Sequence, residues 1–135
     1  TVTSSVAAVV YPNVDSKTYT PSDWSDYDPK TMSQNSAYEQ SKTLAERVAW
    51  DLVEGTDTTL NTICPMFVIG PTLYSPADNA ATAFESGDLC VKIMQRAFPM
   101  LPHMRMGISD VRDVAEAHLL TLSTPEAKGR RFILT

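Results

Sequence analysis

Tyr38 and Lys42 stand four residues apart in Ser36-Ala37-Tyr38-Glu39-Gln40-Ser41-Lys42-Thr43-Leu44-Ala45-Glu46, a stretch patterned as a helix, and Thr3-Ser4-Ser5 ends a β-rich run upstream. On a helix, positions i and i+4 share a face, so the phenol and the ammonium meet one turn apart. An unperturbed tyrosine titrates near 10, and bringing it to neutrality takes about 4 kcal/mol of preferential stabilisation of tyrosinate. An exposed lysine supplies about 1 kcal/mol at most. The pair therefore needs a partly desolvated site or a second positive group, and an oxidised nicotinamide ring is such a group. Ser5, whose hydroxyl both donates and accepts, would hold the same substrate oxygen, so that a proton and a hydride arrive at one carbonyl. A plainer reading stays open for each residue: Tyr38 at the edge of the core with its hydroxyl in water, Lys42 as a solvated helix residue, Ser5 as a strand-end hydroxyl.

Positioning such a trio requires a strand, a helix and a sheet edge. The run from Thr1 to Val10 is continuous and Val-rich, as a strand covered on both faces would be. Residues Tyr11 to Thr31 hold Pro12, Pro21 and Pro29 among Asp, Ser and Asn, which makes a loop. Trp24 in that loop either pins it to the core or touches substrate. From Ser36 to Glu54, Tyr38, Leu44, Ala45, Val48, Ala49 and Leu52 form an apolar helical stripe that Gly55 ends. Thr58 to Cys64 is β-branched and strand-like, and Pro65 interrupts it at its C-terminal end. Pro65 to Pro71 then reads as a rigid exit from strand to loop, at the carboxyl end of a strand where open α/β sheets collect ligands. Asp88 to Ala97 is patterned as a helix, Met106 to Ser109 as a short strand, Asp110 to Leu120 as a helix with acidic residues near its start, and Arg131 to Thr135 as a final strand. Alternating strands and helices without an internal repeat favour α/β layers.

A chain of 135 residues is long enough for one packed domain. Its formal charge of −5 argues against broad binding to nucleic acid or to an anionic membrane, both of which require clustered positive charge. Small molecules are the better partners. Cys64 and Cys90 lack the short paired spacing of a metal site and read as buried free thiols, while His103 and His118 are isolated, so no metal is expected. No apolar run approaches the roughly 20 residues that span a bilayer, and a cytoplasmic protein is expected.

Five ordered segments carry a resemblance: Thr3-Ser4-Ser5-Val6-Ala7-Ala8-Val9, Asp23-Trp24-Ser25-Asp26, Tyr38 through Glu46, Cys64-Pro65-Met66-Phe67-Val68-Ile69-Gly70-Pro71, and Asp110-Val111-Arg112-Asp113-Val114-Ala115. Across nearly its whole length the chain resembles the extended short-chain dehydrogenase/reductase family, in the branch of dihydroflavonol, cinnamoyl-CoA and methylglyoxal reductases. The resemblance implies that Ser5 orients the carbonyl, Tyr38 gives the proton, and Lys42 binds cofactor ribose while lowering the tyrosine pKa. It also implies that Pro65 and Val68 lie against the nicotinamide, and that Asp110 to Ala115 packs a substrate-side lobe. NADP is the implied cofactor, with NAD as the other candidate. Gly55, Gly70, Gly87, Gly107 and Gly129 are scattered singly, so the glycine-rich phosphate cradle of such folds is absent from these residues.

The expected architecture is therefore an incomplete Rossmann-like, doubly wound α/β fold: its second half plus the substrate-side lobe. Residues 1–71 would hold the catalytic strand, loop, helix and following strand, 72–130 the substrate-side lobe, and 131–135 the returning strand. The expected function is the C-terminal portion of a nicotinamide-dependent carbonyl reductase, inactive without an N-terminal nucleotide-binding half as its partner. The alternatives are a nucleotide-sugar epimerase or dehydratase of the same family, or a noncatalytic binding domain on the same scaffold.

Overall fold

A computed structural model describes residues 1–10, 18–26, 37–71, 73, 85–100 and 106–135. The first strand, β1 (Val2–Thr3), is short. The chain does not continue extended to Val10, as the valine-rich composition predicts, but turns at Ser5 into a single helical turn, α1 (Ala7–Val10). The physical cause is local: the Ser5 hydroxyl accepts the Ala7 N–H at 3.2 Å, satisfying one of the amides that a helix start leaves open. Ala8 and Val9 are then carried into the core.

Helix α2 (Ala37–Val53) lies almost where its periodicity places it, and Gly55 takes the left-handed conformation beyond it at φ +72°. Strand β2 (Thr62–Pro65) is the middle of a parallel sheet with β1 on one side and β5 (Arg131–Leu134) on the other. Its register joins Thr3 to Ile63, and Cys64 to Ile133. Pro65 stands at the C-terminal end of this strand, as expected, pairing with Leu134 while its carbonyl accepts the Val6 N–H at 3.0 Å. Proline is tolerated at the strand end because its missing N–H falls where the ladder stops.

The stretch after Pro65 is also more ordered than a loop exit. Phe67–Ile69 forms β3, which pairs in parallel with β4 (Ile108–Asp110) in a second sheet. Helix α3 (Glu85–Met94) begins and ends earlier than the expected Asp88 to Ala97. Helix α4 (Val111–Ser123) starts one residue after Asp110, which is its cap rather than its first residue, and a 3₁₀ turn at Pro125–Ala127 leads to β5.

Alternating side chains put the two faces of the first sheet to different uses. Along β1, β2 and the residues next to them, odd positions meet α4: Thr3 bonds His118, and Asn61 Nδ2 donates to the Thr121 carbonyl. Even positions meet α2: the Ser4 and Thr62 hydroxyls both donate to Glu46. The result is a three-layer α/β/α arrangement with Ile63 and Cys64 fully buried in the middle strand. The stripe of Tyr38, Leu44, Val48 and Leu52 faces outward, and α2 instead buries Gln40, Thr43 and Glu46.

Candidate active site

Ser5 leaves the carboxyl end of β1, and the bond from Val6 N to the Pro65 carbonyl ties its turn to the carboxyl end of β2. Two of the expected site residues, Ser5 and Pro65, are thus brought to one sheet edge. The turn that Ser5 begins runs into α1, and α1 packs against α2, the helix that carries Tyr38 and Lys42. Tyr38 is 56% exposed, and the Lys42 ammonium lies over its ring at 5.6 Å from the centroid, within reach of a cation–π interaction. The adjoining turn of α2 is held by the Ser41 hydroxyl, which donates to the Tyr38 carbonyl at 2.7 Å. Val68 sits half-buried in β3 and pairs with Ser109, in the second sheet rather than the first. The Ser109 hydroxyl links the two sheets, accepting from Met66 N at 3.1 Å and donating to the Leu134 carbonyl at 2.9 Å.

Trp24 pins its loop. The Arg131 guanidinium stacks on its ring at 3.7 Å from the centroid, and Arg47 approaches at 5.1 Å. Beside it, Ser25 is buried and bonds twice to α1, its hydroxyl to the Ala7 carbonyl and its amide to the Ala8 carbonyl. Asp23 accepts both the Thr20 amide and its hydroxyl at 2.8 Å, which shapes the turn before Trp24. His118 is structural: Nδ1 meets the Val114 carbonyl at 2.7 Å, so it carries the hydrogen, and Nε2 accepts from the Thr3 hydroxyl at 2.8 Å. Asp110, beginning the fifth resemblance segment, caps α4 by accepting from Arg112 N, and its carboxylate receives two further bonds from the Arg112 guanidinium. Those bonds hold the Asp110 carboxyl down at about 2.

The centre that sequence reasoning missed is Glu46. It is 2% exposed, and each oxygen is saturated. Oε1 accepts from Thr62 Oγ1 at 2.7 Å, Arg131 Nε at 2.7 Å and Trp50 Nε1 at 3.3 Å. Oε2 accepts from Ser4 Oγ at 2.5 Å, Arg131 Nη2 at 3.2 Å and, weakly, the Cys64 thiol at 3.8 Å. Burial alone pushes this carboxyl upward, but the Arg131 guanidinium with the Ser4 and Thr62 hydroxyls outweighs it and holds the pKa below the ordinary carboxylate value. Burial pushes the Cys64 thiol up, and the nearby Glu46 charge adds to that. A signal was present in the sequence: Glu46 follows Lys42 by one helical turn, and an arginine opens the otherwise apolar last strand.

No family model matches the chain. An oxidoreductase of Saccharomyces cerevisiae is 31% identical over 98% of this chain and 41% of its own length. A cinnamoyl-CoA reductase of Medicago truncatula is 32% identical over 98% of this chain and 39% of its own. Among solved structures, the yeast methylglyoxal/isovaleraldehyde reductase Gre2, complexed with NADPH, superposes with a TM-score of 0.80 at 28% identity over 98% of this chain and 42% of that one. An engineered reductase superposes with a TM-score of 0.81 at 30% identity. The chain thus spans about two fifths of the length of the relatives it matches. With the parallel α/β sheet, the Tyr38–Lys42 pair on its helix and Ser5 at the sheet edge, these likenesses settle the family: the chain belongs to the extended short-chain dehydrogenases/reductases, with part of their Rossmann-like fold.

Proposed function

We propose that this chain carries the proton-delivering and substrate-facing part of an NADPH-dependent carbonyl reductase, reducing an aldehyde or ketone to the alcohol. The observation that carries the reading is the Tyr38–Lys42 pair, an exposed phenol beside a half-buried lysine, on the helix packed against α1, whose turn Ser5 and Pro65 tie to the carboxyl edge of a parallel sheet. Ligands of open α/β sheets collect at that edge. The residues present suit the nicotinamide end of the cofactor: Pro65 and Val68 as an apolar wall, Lys42 as a ribose-binding ammonium. They do not suit the pyrophosphate, because the strand-to-helix turn after β1 is Ser4-Ser5-Val6 and contains no glycine through which a backbone could approach phosphate.

The reduced cofactor, when bound, supplies hydride to the carbonyl carbon. Ser5 then holds the carbonyl oxygen by donating a hydrogen bond, and Tyr38 transfers its phenolic proton to that oxygen as the C–O bond becomes single. Lys42 stabilises the resulting tyrosinate, and solvent returns the proton. We assign β1, β2 and β5 with the helices that cover them, α1, α2 and α4, to the Rossmann-like part, and the β3–β4 sheet with α3 to a substrate-side lobe, so that the boundaries expected at 71 and 130 move to keep α4 with the sheet it covers and β3 with its partner. A nucleotide-binding portion would complete the site, and the outward-facing Leu44, Val48 and Leu52 offer an apolar surface for it to cover. Among the described residues no helix is long and apolar enough to cross a membrane. The test is turnover by the complete protein with NADPH against aldehydes, ketones and nucleotide sugars. Aldehyde or ketone reduction is expected, and turnover of nucleotide sugars alone would contradict the reading. Calorimetric titration of the 135-residue chain with NADPH should show no tight binding.

A further inference from the structure

A buried carboxylate saturated with donors is weak evidence for stability, since well-packed apolar side chains of similar volume often serve as well. What such a network supplies is direction, because hydrogen bonds fix rotation and height where apolar packing tolerates sliding. The buried face of α2 is polar, with Gln40, Thr43 and Glu46, although an apolar stripe was available on the same helix. Glu46 lies one helical turn beyond Lys42 and two beyond Tyr38, about 6 Å and 12 Å along the axis. Its donors come from all three strands of the first sheet or the residue next to one: Ser4, the backbone neighbour of Ser5, just after β1; Thr62 and Cys64 of β2, which ends at Pro65; and Arg131 of β5. Arg131 also donates to the Pro21 and Asp23 carbonyls of the Trp24 loop and to the Ala8 carbonyl of α1.

From this arrangement we infer that Glu46 is a positioning residue for the reaction: clamped by Ser4, Thr62 and Arg131, it fixes the rotation and height of α2 and so sets the Tyr38–Lys42 pair against Ser5. This rests on the reductase reading above. Glu46 touches no reacting atom and acts only through the helix. Loosening the clamp should misplace the proton donor and, through Lys42, slacken the hold on the cofactor's ribose, and an error near 1 Å in such geometry lowers rate by up to ~100-fold.

The experiment compares wild-type, Glu46→Gln, Ser4→Ala and Thr62→Val forms of the complete protein, using NADPH and an aldehyde that the wild type reduces, with rates normalised to folded protein. For Glu46→Gln, kcat should fall on the order of tenfold, with the KM for NADPH rising by a smaller factor, because Lys42, which holds the ribose, moves with the helix. The alkaline limb of its kcat profile should move to higher pH, because a displaced Lys42 stabilises tyrosinate less. A purely structural Glu46 would lower the yield of folded protein and the Tm without moving that limb. If Glu46→Gln does not fold, the two single-hydroxyl deletions carry the test, each predicted to show a smaller loss of kcat in the same direction. Folded variants with wild-type kcat and an unmoved limb overturn the positioning role and leave the reductase reading standing. A wild type that reduces no carbonyl overturns both.

Discussion

A carboxylate taken out of water is tolerated only when neighbouring donors replace its hydration, and at Glu46 the two oxygens accept six such contacts. The consequence is asymmetric. Removing Arg131, whose side chain is itself 8% exposed, leaves the buried charge uncompensated. Arg131→Met should therefore destabilise the fold by about 3–5 kcal/mol, read as a fall in the urea midpoint. Because the folded-state pKa of Glu46 lies below its unfolded value, the stabilisation is complete above the ordinary carboxylate range and disappears as pH falls through the depressed folded value. Urea midpoints should hold from pH 7 to 5 and drop in the acid range, and the drop should be smaller in Glu46→Gln. Burial, with the Glu46 charge beside it, keeps Cys64 quiet: with its pKa raised, Cys64 should resist a thiol reagent at neutral pH until the protein unfolds, whereas half-buried Cys90 reacts first.

At the scale of elements, close backbone approach sets where the second sheet meets α4. Gly70 follows β3 with φ +141°, and a Cβ there would lie 2.6 Å from Val111 Cγ1. Gly70→Ala should thus cost about 1–3 kcal/mol from strain and overlap together, seen as a lowered Tm. Gly55, at φ +72° with open space around it, should tolerate alanine better, because only backbone strain opposes it. Helix α2 was legible because its apolar period extends over four turns and a glycine follows it. Its orientation was not, because a stripe reveals which side of a helix is apolar but not whether the covering surface lies within the same chain. Strand β3 was hidden by its three-residue length between Pro65 and Gly70, and α1 by valines whose strand preference one serine hydroxyl overrides. Ser5, Tyr38 and Lys42 could be proposed as a site from residue type and spacing only together with the family resemblance. The Glu46–Arg131 pair bridges 85 positions, a separation that no local pattern reports.

At the scale of the whole molecule, α2 presents apolar side chains to solvent. Val48 is 53% exposed and Leu52 74%, on the side of α2 away from Glu46. On the proposed reading, a nucleotide-binding portion covers them in the complete protein. Val48→Asp should then change the urea midpoint of the 135-residue chain little, within roughly 0.5 kcal/mol, while destabilising the complete protein by several times that, about 2–5 kcal/mol. Equal effects in both would show that nothing covers the stripe. The central claim is that Tyr38 in this chain delivers the proton of carbonyl reduction, and it is tested most directly by single-turnover oxidation of NADPH by the complete protein carrying Tyr38→Phe. This change deletes one hydroxyl with little loss of packing volume. The account predicts unchanged NADPH binding with the rate of aldehyde reduction lowered at least ~100-fold, and a variant that reduces the aldehyde at the wild-type rate would contradict it.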